Sequence, residues 1–155
     1  MMIEGRVSSG LGRAHVFMSQ AHYQNQFKSI LGRTAWPGTL NLEVEGESFA
    51  TYLALRGVAG VESRDADQEL LDKADLIDVS SHHAHAVAGF LRDGVSFGGA
   101  TAFLATIQTT GGGIPCAVLI PDLTRHVDVV EVIAGQFLRE SMDLEDGDSL
   151  TLLLS

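Results

Sequence analysis

The sequence is poor in several kinds of residue, and each shortage excludes a class of protein. Cysteine occurs once in 155 residues, as Cys116, so no disulfide can form within the chain. Its apolar neighbours predict a small buried side chain. No apolar run approaches the roughly 20 residues of a membrane-spanning helix, and the first residues lack the basic start and apolar core of a signal peptide. We therefore expect a cytoplasmic protein that does not contact the membrane.

Basic residues are also scarce, with 10 Lys and Arg against 20 Asp and Glu and a formal net charge of −10. Because binding to a nucleic-acid backbone needs an excess of positive charge, this balance predicts no nucleic-acid partner. The charge is uneven, since residues 1–42 hold four basic residues and one acidic residue, whereas residues 43–155 hold six and nineteen. Either an anionic small molecule binds near the amino terminus or few charges are scattered by chance.

The remaining composition is that of one globular domain, with 45% hydrophobic and 19% charged residues. Alternation and turn residues predict short strands over residues 3–8, 15–18, 39–44, 87–91, 95–97, 101–108, 115–120, 127–134 and 149–154. Helical spacing predicts helices over residues 21–31, 49–55, 68–77 and 136–142. So many short strands favour a closed barrel or a sandwich over a parallel α/β sheet.

Two segments near the amino terminus contain residues suited to phosphate and metal binding. The run from Gly10 to Ala14 brings two glycines and Arg13 together, and glycines let backbone N–H groups approach a phosphate; an ordinary tight turn is the alternative. Thr39 and Asn41 lie two residues apart on a predicted strand, so their oxygens project from one face. Such oxygens suit Mg²⁺, although a polar, solvent-facing strand edge has the same pattern.

Other polar residues admit two interpretations each. Glu131 is a lone carboxylate in an apolar strand. It is either exposed to solvent at the barrel rim or has a functional role. Arg139 is either an exposed helix residue or an anion contact. The histidines His82, His83 and His85 suggest a transition-metal site, or a solvated loop, because no second ligand cluster accompanies them.

In combination the motifs resemble the archaeal CTP-dependent riboflavin kinases. The resemblance covers roughly residues 3–44 and 86–154. It rests on Gly5-x-Val7-x-Ser9-Gly10-Leu11-Gly12, Tyr23-x-x-x-Phe27, Leu31-Gly32, Pro37-Gly38-Thr39-Leu40-Asn41, Pro121, Thr124, His126, Glu131-Val132-Ile133-Ala134, Leu138-Arg139-Glu140 and Asp146-Gly147-Asp148. The resemblance implies a mainly β fold, a small six-stranded cradle-like β-barrel with a few short helices. We expect a single domain over residues 1–155, with a divergent, insertion-like segment at about 45–85, and no attached DNA-binding domain.

The resemblance also implies a reaction, in which CTP phosphorylates riboflavin with Mg²⁺ to give FMN and CDP, in a protein that we expect to be a monomer. Its metal ligands correspond to Thr39 and Asn41, its flavin contacts to Thr124 and Glu131, and its catalytic candidates to Glu131 and Asn41. Its nucleotide contacts correspond to Gly10, Leu11, Gly12, Arg13, Ala14, His15, Gln136, Phe137, Leu138 and Arg139.

The sequence departs from the family pattern at several places near these motifs. Ala14 stands where another glycine is common, Arg33-Thr34-Ala35-Trp36 replaces an aromatic-Pro-Tyr approach to Pro-Gly, and Gly135 replaces a proline. Three alternatives to the expected activity remain: a kinase on the same barrel that uses another nucleotide or alcohol, a non-catalytic ligand sensor or DNA-binding module, and a metal-binding protein that uses the three histidines.

Overall fold

A computed structural model describes residues 1–10, 14–124 and 127–155 of the chain. Its strands are β1 (Met2–Ser8), β2 (Leu40–Glu43), β3 (His85–Val87), β4 (Phe90–Arg92), β5 (Val95–Phe97), β6 (Ala100–Thr109), β7 (Gly112–Pro121), β8 (Val129–Ala134) and β9 (Ser149–Leu154). Its helices are α1 (Ala14–Met18), α2 (Ala21–Leu31), α3 (Gly46–Val58), α4 (Gln68–Asp75) and α5 (Leu138–Ser141). Among these residues, no helix is both long and apolar enough to span a membrane.

Six antiparallel strands close into a barrel, in the order β6-β7-β8-β2-β1-β9, and β9 pairs with β6 to complete the ring. The strand β6 is long enough to serve two partners on one edge, because its first residues pair with β3 and its later residues pair with β9. The separate hairpin β4–β5 turns at Asp93-Gly94, where both residues have positive φ. The predicted six-stranded barrel with a few short helices is therefore confirmed, with β3 as an extra strand.

Alternation along the strands separates the inside of the barrel from its outer face. The inward side chains of β2 and β8, which include Leu42 and Val130, are fully buried in the main core. The helix α3 adds Tyr52 and Leu55 to that core. A second cluster lies on the outer face, where Tyr23 and Phe27 of α2 pack against residues of β6, β7 and β8. The cysteine is buried as predicted, and burial raises the pKa of the Cys116 thiol to about 12.

Two predicted strands are wrong in detail. Residues 15–18 belong to the helix α1, because β1 already pairs with β2 on one edge and with β9 on the other. Residues 87–91 do not form one strand, since β3 ends at Val87 and β4 begins at Phe90. The strand is interrupted between them because the Gln26 side chain forms hydrogen bonds with both the N–H and the carbonyl of Ala88.

Candidate active site

An open cleft of about 460 Å³ lies where β1, β2 and β8 meet the loop after β1 and the segment before α5. Residues 8–10, 14–15, 36, 38–41, 129, 131–132, 134 and 136–139 line it. The cleft therefore joins two stretches of the family resemblance, residues 8–41 and 129–139, that are about 90 residues apart in sequence. Sheet register brings them together, because Asn41 pairs with Ser8 on β1 and with Glu131 on β8. Paired residues on neighbouring strands project from the same face.

Three oxygen-bearing side chains converge in the cleft. The Thr39 hydroxyl lies 3.2 Å from Asn41 Oδ1 and 3.3 Å from Glu131 Oε1. All three side chains are half-buried. This donor set of a hydroxyl, an amide oxygen and a carboxylate is hard and fits Mg²⁺, which keeps part of its shell for water and phosphate oxygens. The structure thus brings Thr39, Asn41 and Glu131 to one place.

The loop after β1 lies directly against this group. A Cβ atom placed on Gly10 would lie 2.3 Å from Asn41 Nδ2, so only glycine allows the backbone to approach the amide so closely. Ala14 and the exposed His15 line the same cleft. The predicted nucleotide contacts Leu11, Gly12 and Arg13 lie outside the described residues.

The start of α5 and the two residues before it also line the cleft. Gln136, Phe137, Leu138 and Arg139 all line it, although the Leu138 side chain belongs to the barrel core. Arg139 Nη2 donates to the Ser8 carbonyl at 3.1 Å and to Asp146 Oδ1 at 2.6 Å. The second Asp146 oxygen accepts from Ser9 Oγ at 2.7 Å. Hydrogen bonds from Ser9 and then from Arg139 hold the pKa of Asp146 below its ordinary value.

Three residues at or beside the cleft have contacts that the sequence did not predict. Asp146 and Ser9 carried no assigned role, yet with Arg139 they tie the end of β1 to the turn before β9. Trp36 is also new, since it lines the cleft and stacks on Phe137. The Asp146-Gly147-Asp148 motif and the single tryptophan were the available signals, but neither indicates its partner in space.

Thr124 and the histidines lie elsewhere. Thr124 follows β7, its N–H donates to the Pro121 carbonyl at 3.1 Å, and it is not among the cleft residues in the described part of the chain. His82 Nδ1 lies 2.7 Å from the Ser155 carbonyl oxygen, and the His83 and His85 rings meet edge to face. Within residues 1–10, 14–124 and 127–155, no group of three or more His, Cys, Asp or Glu could hold a metal.

Arg33 packs against Gly135, two of the positions where we expect a departure from the family pattern. A Cβ atom on Gly135 would lie 2.2 Å from Arg33 Cδ, so the arginine stem occupies space that a side chain at position 135 would need.

Comparison with known proteins gives one family. The family profile CTP-dep_RFKase, described as "Domain of unknown function DUF120", matches residues 7–76 and 65–154. Proteins named riboflavin kinase are similar over nearly the whole chain: 30% identical in Thermoplasma acidophilum over 98% of it, 34% in Methanoculleus marisnigri over 96%, and 31% in Pyrobaculum aerophilum over 93%. The chain spans 56%, 54% and 56% of those three proteins. On these matches the chain belongs to the CTP-dependent riboflavin kinase family.

Proposed function

We propose that this chain transfers the γ-phosphoryl group of CTP to the terminal ribityl hydroxyl of riboflavin, giving FMN and CDP. The observation that carries the proposal is the convergence of Thr39, Asn41 and Glu131 in a cleft bounded by the loop after β1. Phosphoryl transfer needs positioning and charge neutralisation more than covalent chemistry by the protein. A cluster of hard oxygens beside a backbone loop meets that need.

Thr39 and Asn41 would hold Mg²⁺, with Glu131 next to them. When bound, the ion would supply positive charge to neutralise the β- and γ-phosphates. The protein's own contribution is the arrangement of the ligands: the Thr39 hydroxyl is fixed between the two neighbouring oxygens, and Asn41 is held against Gly10. A preorganised set of this kind needs little rearrangement when substrate binds.

The remaining residues would position the two substrates. Backbone N–H groups of residues 10–15 would bind the nucleotide phosphates, and residues 136–139 would also contact the nucleotide. Glu131 would orient the ribityl chain so that its hydroxyl lies in line with the γ-phosphorus. Thr124, which is not among the described residues that line the cleft, would contact the flavin outside it. The hydroxyl oxygen then bonds to that phosphorus, the bond to the β–γ bridging oxygen breaks, and the hydroxyl proton leaves to solvent or to the adjacent carboxylate.

The test is turnover of riboflavin to FMN with Mg²⁺, run in parallel with CTP, ATP, GTP and UTP. We expect turnover with CTP. Thr39→Ala combined with Asn41→Ala should lower kcat/KM by about 100-fold or more, because loss of even indirect metal partners costs 10–100-fold. A matched control combines Asn25→Ala with Thr110→Ala, since both side chains are exposed and lie away from the cleft.

The control pair should retain wild-type turnover. Activity with ATP and not with CTP would support phosphorylation of riboflavin but contradict CTP as the phosphoryl donor. Folded protein that is inactive with all four nucleotides would contradict the proposed function. Mg²⁺-dependent turnover that survives the loss of the Thr39 and Asn41 side chains would contradict their role as metal ligands.

A further inference from the structure

Two aromatic rings stack in parallel at the wall of the cleft. The ring centroids of Trp36 and Phe137 lie 4.9 Å apart with an interplanar angle of 4°. Both residues line the cleft, yet Trp36 is 44% exposed and Phe137 39% exposed. Large aromatic side chains are usually buried in a core, so a paired, solvent-facing stack inside a cleft suggests a surface for a flat ligand.

The backbone at both aromatic residues is anchored to the barrel, and the two rings pack against each other. The backbone N–H of Trp36 donates to the Ala134 carbonyl at 2.8 Å, which ties the tryptophan backbone to the end of β8. A Cβ atom on Gly38 would lie 3.6 Å from Trp36 Cδ1 and 3.7 Å from Nε1, so the pyrrole edge of the indole lies close to this glycine. Phe137 directly precedes Leu138, whose side chain is anchored in the barrel core. Rings that are already ordered lose little conformational entropy on binding, so more of the stacking energy remains as affinity.

The neighbours of the stack determine which ligand it suits. Gly38, beside the pyrrole edge of the indole, directly precedes Thr39. Phe137 lies two residues before Arg139, which donates to the Ser8 carbonyl at the end of β1. A ligand here would place a flat ring on the aromatic pair and an anionic group towards Thr39 and the loop. A nucleoside triphosphate has both parts, whereas riboflavin has a flat ring and no phosphate.

We propose that Trp36 and Phe137 form a stacking platform for the pyrimidine base of the nucleotide donor, with Trp36 as a binding residue for which the sequence motifs gave no role. The identity of that nucleotide rests on the proposed function. Stacking of one base on an aromatic side chain changes affinity by about 5- to 150-fold. We therefore expect loss of the platform to raise the KM for CTP by about 10- to 100-fold.

The chain has a single tryptophan, so its fluorescence reports on Trp36 alone. CTP should change this emission in the absence of riboflavin, where no turnover occurs, when excitation lies beyond the cytosine absorption band. Inorganic tripolyphosphate, which has no base, should leave the emission nearly unchanged. Phe137→Leu should weaken CTP binding in the same titration by about 10-fold while leaving Trp36 in place as the reporter.

Kinetics of matched variants separate stacking from a structural role. Trp36→Phe keeps an aromatic face and should stay near the wild-type KM for CTP, whereas Trp36→Leu should raise it. Phe17→Leu is the control, because Phe17 is 46% exposed and is not among the cleft residues. The KM for riboflavin should not change in any of them. A thermal melt confirms that each variant is folded, and Phe137→Leu carries the test if Trp36→Leu does not fold.

The outcomes distinguish this inference from the proposed function. The wild-type protein could phosphorylate riboflavin with CTP while CTP leaves the Trp36 emission unchanged and the variants leave the KM for CTP unchanged. That result would contradict the stacking platform and support the proposed reaction. A rise in the riboflavin KM alone would also overturn the platform, since the stack would then hold the flavin. If CTP changes the emission of a protein that phosphorylates no riboflavin, the platform is supported and the proposed reaction fails.

Discussion

Gly10 packs closely against the Asn41 amide in the cleft, and this packing connects the residues after β1 to the oxygen cluster. A side chain on Gly10 would meet the Asn41 amide nitrogen at 2.3 Å. Because that nitrogen is at the end of a flexible side chain, Gly10→Ala should displace it with little loss of stability. Misplacement of a positioning group by about 1 Å costs up to about 100-fold in rate, so we expect kcat/KM to fall by about 10- to 100-fold. Steady-state kinetics and a thermal melt measure the two effects.

Gly111→Ala is the matched control, because a Cβ atom there meets nothing within 4 Å in the turn between β6 and β7. It should leave both kinetics and melting temperature near wild type. Full activity in Gly10→Ala would show that the position of the Asn41 amide does not matter for the reaction.

Which side chains lie close together was predicted from the sequence where the two partners are two residues apart. Thr39 directly precedes β2 and Asn41 lies on it, and their side chains meet as predicted. Glu131 joins them through β2–β8 register. The bond between Ser9 and Asp146 joins residues 137 positions apart. Nothing in the local pattern of either residue specifies the other, so contacts of this kind need the folded barrel.

At the scale of elements, residues 45–85, which we predicted to be an insertion-like segment, pack into the fold. Its helix α3 carries Arg56, which is only 2% exposed. Arg56 Nε donates to Ser63 Oγ and Nη2 donates to the Glu62 carbonyl, both at 2.7 Å, and the guanidinium lies 5.7 Å from the Tyr52 ring centroid. Arg56 therefore holds the segment that follows α3 against that helix.

Arg56→Met keeps an apolar stem but removes these bonds. Since hydrogen bonds to charged groups contribute about 1.5–3 kcal/mol each, we expect the free energy of unfolding to fall by about 2–4 kcal/mol. Arg64→Met is the control, because its ion pair with Glu62 joins side chains that are 83% and 71% exposed, and exposed pairs contribute about 0–1 kcal/mol. Urea unfolding of the two variants gives the comparison. Equal stability losses would show that Arg56 has no special structural role.

Among the elements, long patterned segments were predicted well and short apolar runs were not. The helix α2 spans the predicted residues 21–31, and Gly32 ends it with φ of 78°. The strand β9 also spans its predicted residues. Residues 15–18 contain apolar and β-branched side chains but only Met18 is buried, so four residues carry too little periodicity to distinguish a strand from one helical turn. For such a short segment, whether a partner strand is available decides whether it forms a strand or a helical turn.

At the scale of the whole molecule, acidic residues greatly outnumber basic ones, and few of those that the structure describes form ion pairs. The formal net charge is −10, whereas the described parts of the chain contain two ion pairs, Arg64–Glu62 and Arg139–Asp146. Like charges repel more strongly in the compact state than in the extended chain, so the excess opposes folding. Salt screens this repulsion, with a Debye length that shortens from about 10 Å at 0.1 M to about 3 Å at 1 M.

Added NaCl should therefore stabilise the protein at neutral pH, since screening removes much repulsion and few attractions. A gain of about 1 kcal/mol corresponds to about 2–4 °C in melting temperature for a chain of this size, and we expect at least that between low and high salt. The same titration near pH 4.8, the isoelectric point of the sequence, is the internal control. Net repulsion vanishes there, so the salt effect should shrink. An equal rise at both pH values would assign the stabilisation to general salt effects on apolar burial rather than to the charge excess.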